Sequence, residues 1–172
     1  MNPTKLLWVD VETTGLDPLH DALLEIAAAE TPLDRPLHRG SITSCVFGFH
    51  DALGCTPFIR DLHTANGLFA DCRASLLTPA MLDEAFCRWF PDEYIVAGSS
   101  VHFDLAFIRV NLPNFAKRLS HRCYDVSAIR LFCQSLGCPE MPKGVTAHRA
   151  HADIDASIAE AHYYSRYIQV PQ

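Results

Sequence analysis

The stretch Val9–Asp17, VDVETTGLD, decides the fold, because it closes the first apolar run of the chain with two acidic residues and a turn. Residues two apart on a β-strand point to the same face of the sheet, so Asp10 and Glu12 are predicted to lie side by side. Two ionised carboxylates about 5 Å apart repel each other by roughly 3 kcal/mol at an effective dielectric constant near 20. Such a pair therefore takes up a proton or binds a cation.

The length and composition are those of an ordinary globular protein. The 172 residues predict a single domain covering residues 1–172, with 49% hydrophobic and 20% charged residues. No apolar run reaches the roughly 18 residues that span a bilayer, and acidic residues follow the N-terminus too early for a signal peptide. Seven cysteines without a CxxC pair predict reduced thiols. We therefore expect a cytoplasmic protein that does not contact a membrane.

The net charge of −6 argues against a broad basic surface that follows long nucleic acids. It does not exclude nucleic acid as a substrate. Carboxylates that surround a metal count as negative in the sequence but are neutralised in the site. A short oligonucleotide also needs only a few phosphate contacts.

Hydrophobic periodicity and turn residues predict an α/β domain with a mixed sheet. The strands are expected at residues 5–11, 23–30, 41–49, 93–98 and 121–127. The pattern at 23–30, LLEIAAAE, also fits a helix, and the Pro-rich turn after it favours the strand. The helices are expected at residues 63–76, 78–90, 103–112, 128–136 and 147–168. Thr78 followed by Pro79 is typical of a helix start.

Asp104, His148 and Asp153 are the other candidate site residues, since each lies where an element ends or a helix begins. Carboxylate oxygens suit Mg²⁺ or Mn²⁺ better than zinc. Two such ions can clamp the attacking and leaving oxygens of a phosphoryl transfer, and a neighbouring histidine can take a proton from water. Each residue also has an ordinary explanation, as a solvated turn, a helix cap or a surface histidine. The set as a whole favours a metal site.

DVETTGLD, the FD of SSVHFD and HRAHAD resemble, in this order, the three motifs of the DEDDh 3′-to-5′ exonucleases. The resemblance implies a ribonuclease H-like fold, a mixed five-stranded sheet flanked by helices, and a two-metal mechanism. Asp10, Glu12, Asp104 and Asp153 would hold two divalent ions, Mg²⁺ or Mn²⁺, and His148 would be the general base. The spacing of the last motif selects His148 and Asp153 rather than His151 and Asp155.

Within that superfamily the chain most resembles oligoribonuclease, through HTANGL at residues 63–68, YDVSAI at 124–129 and the last helix. The resemblance implies short single-stranded RNA as substrate and a homodimer. Leu16 would wedge between two bases, and Phe58 and His63 would line the pocket for the base and sugar. Ser100 and Arg122 would cap the far 5′-phosphate, so that very short substrates fit best.

Four departures bear on the length of the substrate. One is the loop at residues 137–146, which has Lys143 and Gly144 in place of a longer segment. His121 stands where oligoribonuclease has a tyrosine, Phe58 where it has a tryptophan, and His102-Phe103 where it has Gly-Gln. They leave the metal ligands unchanged. Two other functions remain open: a DNA-directed exonuclease of the same superfamily, for proofreading or end trimming, and a non-catalytic module that only binds nucleotides.

Overall fold

The computed structural model describes residues 4–38, 40–142, 144 and 147–168. Its central sheet has five strands in the order β3-β2-β1-β4-β5. They are β1 (Lys5–Thr13), β2 (Leu23–Pro32), β3 (Thr43–Val46), β4 (Tyr94–Gly98) and β5 (Leu119–Asp125). β2 runs antiparallel to both β1 and β3, whereas β1, β4 and β5 run parallel. The predicted mixed five-stranded sheet is therefore confirmed.

Seven α-helices flank this sheet in the described part of the chain, together with a short 3₁₀ turn at Ala52–Gly54. The helices are α1 (Pro57–Ala65), α2 (Leu68–Ala74), α3 (Pro79–Trp89), α4 (His102–Asn111), α5 (Pro113–Ala116), α6 (Val126–Ser135) and α7 (Ala150–Ser165). None of the described helices is both long and apolar enough to cross a membrane.

Two expected boundaries are wrong for identifiable reasons. α1 begins at Pro57, although the sequence pattern places the first helix at residue 63. Its start has the same Thr-Pro signal as α3, and the Thr56 hydroxyl accepts a hydrogen bond from the Ile59 amide. The last helix begins at Ala150 rather than residue 147, because His148 has φ = 47° and leaves the helical region.

β1 has one core on each side of the sheet. Leu7, Val9 and Val11 pack against residues of α3, α4 and α5. Leu6 and Trp8 point to the opposite face, where they meet α7. Asp10 and Glu12 continue the series of Leu6 and Trp8, so the alternation of β1 directs both carboxylates towards α7.

Small residues let α7 lie close to the sheet. Alanines on β2 and β4 form the floor, and a stripe of buried residues on α7 packs against them. The floor consists of Ala27, Ala29 and Ala97, and the stripe of Ala150, Ile154, Ile158 and Ala161. This spacing of three to four residues keeps one helix face on the sheet. The first turn of α7, with Asp153, therefore lies beside the end of β1.

A polar cluster closes the other end of the sheet. The Glu30 carboxylate on β2 accepts a hydrogen bond from the Tyr94 hydroxyl at 2.6 Å and pairs with the Lys5 ammonium at 2.7 Å. Lys5 also contacts Asp92 at 2.7 Å. This cluster joins the start of β1 to the end of β2 and the start of β4.

Candidate active site

The first two acidic side chains lie at the carboxyl end of β1. Glu12 is buried and Asp10 is partly buried. Asp104, in the first turn of α4, is also buried, and its Oδ1 accepts a hydrogen bond of 3.0 Å from the Val11 amide. This hydrogen bond joins α4 to β1 between the two acidic residues of the strand.

α7 and the segment before it complete the cluster. Glu12, His148 and Asp153 each offer one ligand atom, and these atoms lie within 4.8 Å of one another. His148 is exposed, Asp153 is half-buried and Glu12 is buried, so the group opens towards solvent on one side. Residues 148–155, HRAHADID, contain two histidines and two aspartates. This group includes His148 and Asp153.

The electrostatics of the cluster disfavour four negative charges. Burial, followed by the charges of Asp104, Asp153 and Glu12, raises the pKa of Asp10 well above its ordinary value. Burial, followed by the charge of Asp153, raises the pKa of Glu12 to about 8. Burial also raises the pKa of Asp104 to about 7 and that of Asp153 above its ordinary value.

This donor set fits a hard divalent cation. Carboxylate oxygens with raised pKa values gain most from a nearby positive charge, which can replace the protons that burial otherwise favours. Oxygen donors with one imidazole nearby are the ligands that Mg²⁺ and Mn²⁺ accept. The cluster can therefore hold a divalent cation at a position that is open to solvent on one side.

Two clefts flank the cluster. The first has a volume of about 690 Å³ and contains Asp10, His148 and Asp153 in its wall. Its further lining residues include Ser99, Arg130, Met141, Pro142, Gly144 and Glu160. The second has a volume of about 550 Å³ and contains Glu12 in its wall. Its further lining residues include Thr13, Gly15, Leu16, Phe58, His63 and Phe103. The structure thus brings three predicted substrate residues into one cleft beside the acids.

Leu16 lies at the tip of a tightly bonded turn after β1, with 83% of its surface exposed. The Thr13 hydroxyl donates to the Gly15 carbonyl at 2.6 Å, and the Asp17 amide donates to Asp21 Oδ2 at 2.8 Å. A Cβ atom on Gly15 would lie only 2.3 Å from Asp21 Oδ2, so a larger residue here would displace the Asp21 carboxylate. An apolar side chain is therefore held in solvent at the edge of the second cleft.

His63 and Phe58 occupy different depths of that cleft. Phe58 is 71% exposed at the rim, whereas His63 is 1% exposed. Burial lowers the pKa of His63, and its Nε2 lies 3.2 Å from the Thr13 carbonyl oxygen and 3.9 Å from Glu12 Oε2. A neutral imidazole that donates from Nε2 fits this arrangement. His63 forms the floor of the cleft and braces the end of β1.

Ser100, His121 and Arg122 lie elsewhere. Ser100 has φ = 60° in the turn before α4, and its amide donates to Asp125 Oδ1 at 3.1 Å. His121 and Arg122 are exposed on β5, which forms an edge of the sheet. None of the three lines either of the two clefts, as far as the described residues define them. Ser100 nevertheless follows directly after Ser99, which lies in the wall of the first cleft.

The motifs do not reveal the residues that support the site. Glu25 on β2 forms a two-point ion pair with Arg149, and Asn66 hydrogen-bonds to the backbone beside His148. One signal for Glu25 exists in the sequence, since it is a charged residue inside the apolar run LLEIAAA. Its partner is 124 residues away, and no local pattern identifies it.

Comparison with known proteins identifies the family. The model of the RNase T exonuclease family matches residues 7–161. Oligoribonuclease of Mycobacterium bovis is 35% identical over 182 aligned residues, covering 98% of this chain and 83% of the relative. Oligoribonuclease of Nocardia farcinica is 32% identical over 179 residues, covering 96% and 82%.

Solved structures show the same fold. Exonuclease I of Methylocaldum szegediense matches with a TM-score of 0.73 at 22% identity over 97% of this chain. The zinc-bound complex of E. coli exonuclease I with single-stranded DNA matches with a TM-score of 0.72 at 18% identity. This chain spans 41% of each of those two chains. The sheet and its helices are thus ribonuclease H-like, and the chain belongs to the RNase T family and is a DEDDh-type 3′-to-5′ exonuclease.

Proposed function

We propose that this chain is a metal-dependent exonuclease that releases 5′-mononucleotides from the 3′ end of short oligoribonucleotides. The observation that carries the proposal is the convergence of Glu12, His148 and Asp153 within 4.8 Å, beside Asp10 and Asp104. Three separate parts of the chain contribute to this one cluster. The oligoribonuclease relatives, at 32–35% identity over nearly the whole chain, support RNA as the substrate class.

Four carboxylates would hold two divalent ions, Mg²⁺ or Mn²⁺: those of Asp10, Glu12, Asp104 and Asp153. Bound there, such ions would acidify the attacking water and stabilise negative charge on the phosphoryl group. β1, α4 and α7 carry the four ligands, and these elements belong to the packed core. Rigid elements suit a reaction that depends on accurate placement of its groups.

His148 would act as the general base. Its imidazole would take the proton from the water as the new bond to phosphorus forms and the bond to the leaving 3′-oxygen breaks. Its exposed position at the mouth of the first cleft supports this role, because water and substrate reach it directly. His151 lies three residues later, in α7, so His151→Ala is the matched control for His148→Ala.

The second cleft would hold the 3′-terminal nucleotide. Leu16 would insert between the last two bases, and Phe58 would stack on a base at the rim, where base–aromatic stacking contributes about 1–3 kcal/mol. His63 would form the floor beneath the sugar. The exposure of Leu16 and Phe58 supports these roles, since both apolar side chains lie in solvent beside the acids.

The far 5′-phosphate would be bound by Ser100 and Arg122, with His121 beside them. Arg122 and His121 lie on the edge strand β5, separate from the clefts of their own chain. A homodimer in which this edge of the sheet meets a second copy would bring Ser100, His121 and Arg122 to the substrate bound by that copy. Dimerisation, a cytoplasmic location and a single exonuclease domain over residues 1–172 belong to this proposal.

A DNA-directed exonuclease is the second candidate. The exonuclease I structures with the same fold include complexes with single-stranded DNA. The fold alone does not select the sugar, so the two candidates share the catalytic residues and differ in substrate.

A time course on end-labelled RNAs of two, five and twenty nucleotides, with matched DNAs, tests the proposal. Reactions would contain Mn²⁺, Mg²⁺ or EDTA. We expect metal-dependent release of mononucleotides that is fastest on the RNA dinucleotide. Equal or faster cleavage of the long DNA would support the second candidate. Binding of oligonucleotides without turnover would contradict both and indicate a binding module.

A further inference from the structure

The segment before α7 holds His148 in an unusual backbone conformation. The φ angle of His148 is 47°, in the left-handed region that residues other than glycine seldom adopt. Such a conformation persists only where surrounding contacts fix it. Among the described residues, three that lie outside the acidic cluster hold this segment.

Asn66, at the C-terminal end of α1, makes the first contact. Its Nδ2 donates hydrogen bonds to the His148 carbonyl oxygen and, at 3.5 Å, to that of Ala147. Its Oδ1 accepts a hydrogen bond of 3.0 Å from the Leu68 amide. The hydrogen bond from the Leu68 amide fixes the orientation of the Asn66 side-chain amide, so its Nδ2 faces the His148 segment.

Arg149 makes the second contact, one residue after His148. Its Nε and one terminal nitrogen bind the two oxygens of Glu25 at 2.9 and 3.2 Å, and that nitrogen also contacts Asp71 at 2.9 Å. A paired, two-point contact of this kind fixes the orientation of a guanidinium as well as its position.

Glu25 is itself held rigidly on β2. It is 1% exposed, and it accepts hydrogen bonds from the Ser44 hydroxyl at 2.8 Å and the Ala150 amide at 3.1 Å. Burial alone would raise the pKa of Glu25, but the hydrogen bonds from Arg149 and Ser44 hold it below its ordinary value. The carboxylate is therefore a fixed anion at the N-terminus of α7, where the helix dipole favours it.

We propose that Asn66, Arg149 and Glu25 are positioning residues that together clamp the His148 segment and so place its imidazole for catalysis. None of the three lines either of the two clefts defined by the described residues, so they act through His148 rather than on substrate. This inference rests on the proposed function, in which His148 is the general base. It adds that the base is placed by α1 and β2, not by α7 alone.

Asn66→Ala, alone and combined with His148→Ala, tests the clamp. In the otherwise unchanged protein we expect kcat to fall about tenfold to a hundredfold, the cost typical of a misplaced catalytic group, while KM for the RNA dinucleotide stays within about twofold. In the His148→Ala background the same substitution should change kcat by less than about twofold, because the group that it positions is gone.

Three further variants separate positioning from folding. Asn66→Asp keeps the oxygen that accepts from Leu68 and removes the donor to His148, so it should lose kcat as Asn66→Ala does. Arg149→Lys keeps the charge but not the two-point contact, and it should also lower kcat. Glu30→Gln breaks the ion pair with Lys5 at the other end of β2, the strand that carries Glu25. It should lower the melting temperature and leave kcat unchanged.

The outcomes distinguish this inference from the proposed function. Unchanged kcat in Asn66→Ala, or an equal factor lost in both backgrounds, would overturn the clamp and leave His148 as the base. Unchanged kcat in His148→Ala would overturn the base assignment itself, and the clamp with it. A loss of kcat in Glu30→Gln equal to that in Asn66→Ala would show that the effect is general destabilisation.

Discussion

At the scale of single residues, the site is a set of carboxyl groups whose ionised form is disfavoured by burial and by their mutual repulsion. Glu12 is the clearest example, because burial and the charge of Asp153 raise its pKa from 4.5 to about 8. The pairing of Asp10 with Glu12 follows from the period-two geometry of a strand, so the sequence predicts it. The contribution of Asp153 depends on a contact between β1 and α7, which no local pattern contains.

The raised pKa of Glu12 predicts that the metal-free protein loses stability as the pH rises. Between pH 4.5 and about 8 the folded state holds a proton that the unfolded chain has released, so the free energy of unfolding falls with pH in this window. The melting temperature in EDTA should therefore decrease from pH 5 towards pH 8, and Mn²⁺ should restore it most at pH 8. Differential scanning fluorimetry measures both effects.

Glu12→Gln is the control for this slope, because an amide does not titrate. Its melting temperature in EDTA should depend less on pH than that of the unsubstituted protein. An equal slope in the two proteins would contradict the assignment of the raised pKa to Glu12.

At the scale of elements, loops and helix starts differ most from the sequence prediction. The alternation of β1 and the long apolar face of α7 are periodic signals, and the structure has a strand and a helix in these two regions. The start of α7 is three residues later than predicted, because the preceding segment is bonded to Glu25 and Asn66 instead of continuing the helix. Tertiary contacts set this boundary, so sequence periodicity alone misses it.

The turn that carries Leu16 gives a second prediction. In Gly15→Ala, the new Cβ would lie 2.3 Å from Asp21 Oδ2 and would displace that carboxylate from the Asp17 amide. The turn should loosen while the core stays intact. We expect KM for short RNA to rise several-fold with little change in melting temperature, measured by steady-state kinetics. An unchanged KM would show that the turn does not position Leu16 for binding.

The contact between β1 and β4 gives a third prediction. A Cβ atom on Gly98 would lie 2.8 Å from the Val9 carbonyl oxygen, which belongs to the backbone of the central strand and cannot move aside. Gly98→Ala should therefore destabilise the fold by about 1–3 kcal/mol in chemical denaturation. Gly144→Ala is the control, since its Cβ would meet no atom of the described residues within 4 Å. Equal stability of the two variants would contradict this close approach.

At the scale of the whole molecule, the charge pattern fits the short substrates that we propose. The net charge is −6, and four of the acidic residues gather at one site between the two clefts. The order of the motifs along the chain predicted the fold and the acidic cluster, because each motif lies at the end of a strand or the start of a helix. Ser100, His121 and Arg122 line neither cleft among the described residues, so one chain alone gives no test of the phosphate-binding role that the resemblance implies for them.

The central claim is that the acids of β1, α4 and α7 form one metal-dependent catalytic site. The most direct test is the turnover of an RNA dinucleotide by Asp153→Asn, with Asp155→Asn as a matched control in the same helix, at a few millimolar Mn²⁺. We expect Asp153→Asn to lose at least about a hundredfold in kcat at an unchanged fold, because it removes a ligand of the metal whose positive charge would stabilise the transition state. Asp155→Asn should retain activity. Turnover by Asp153→Asn at the rate of the unsubstituted protein would contradict the account.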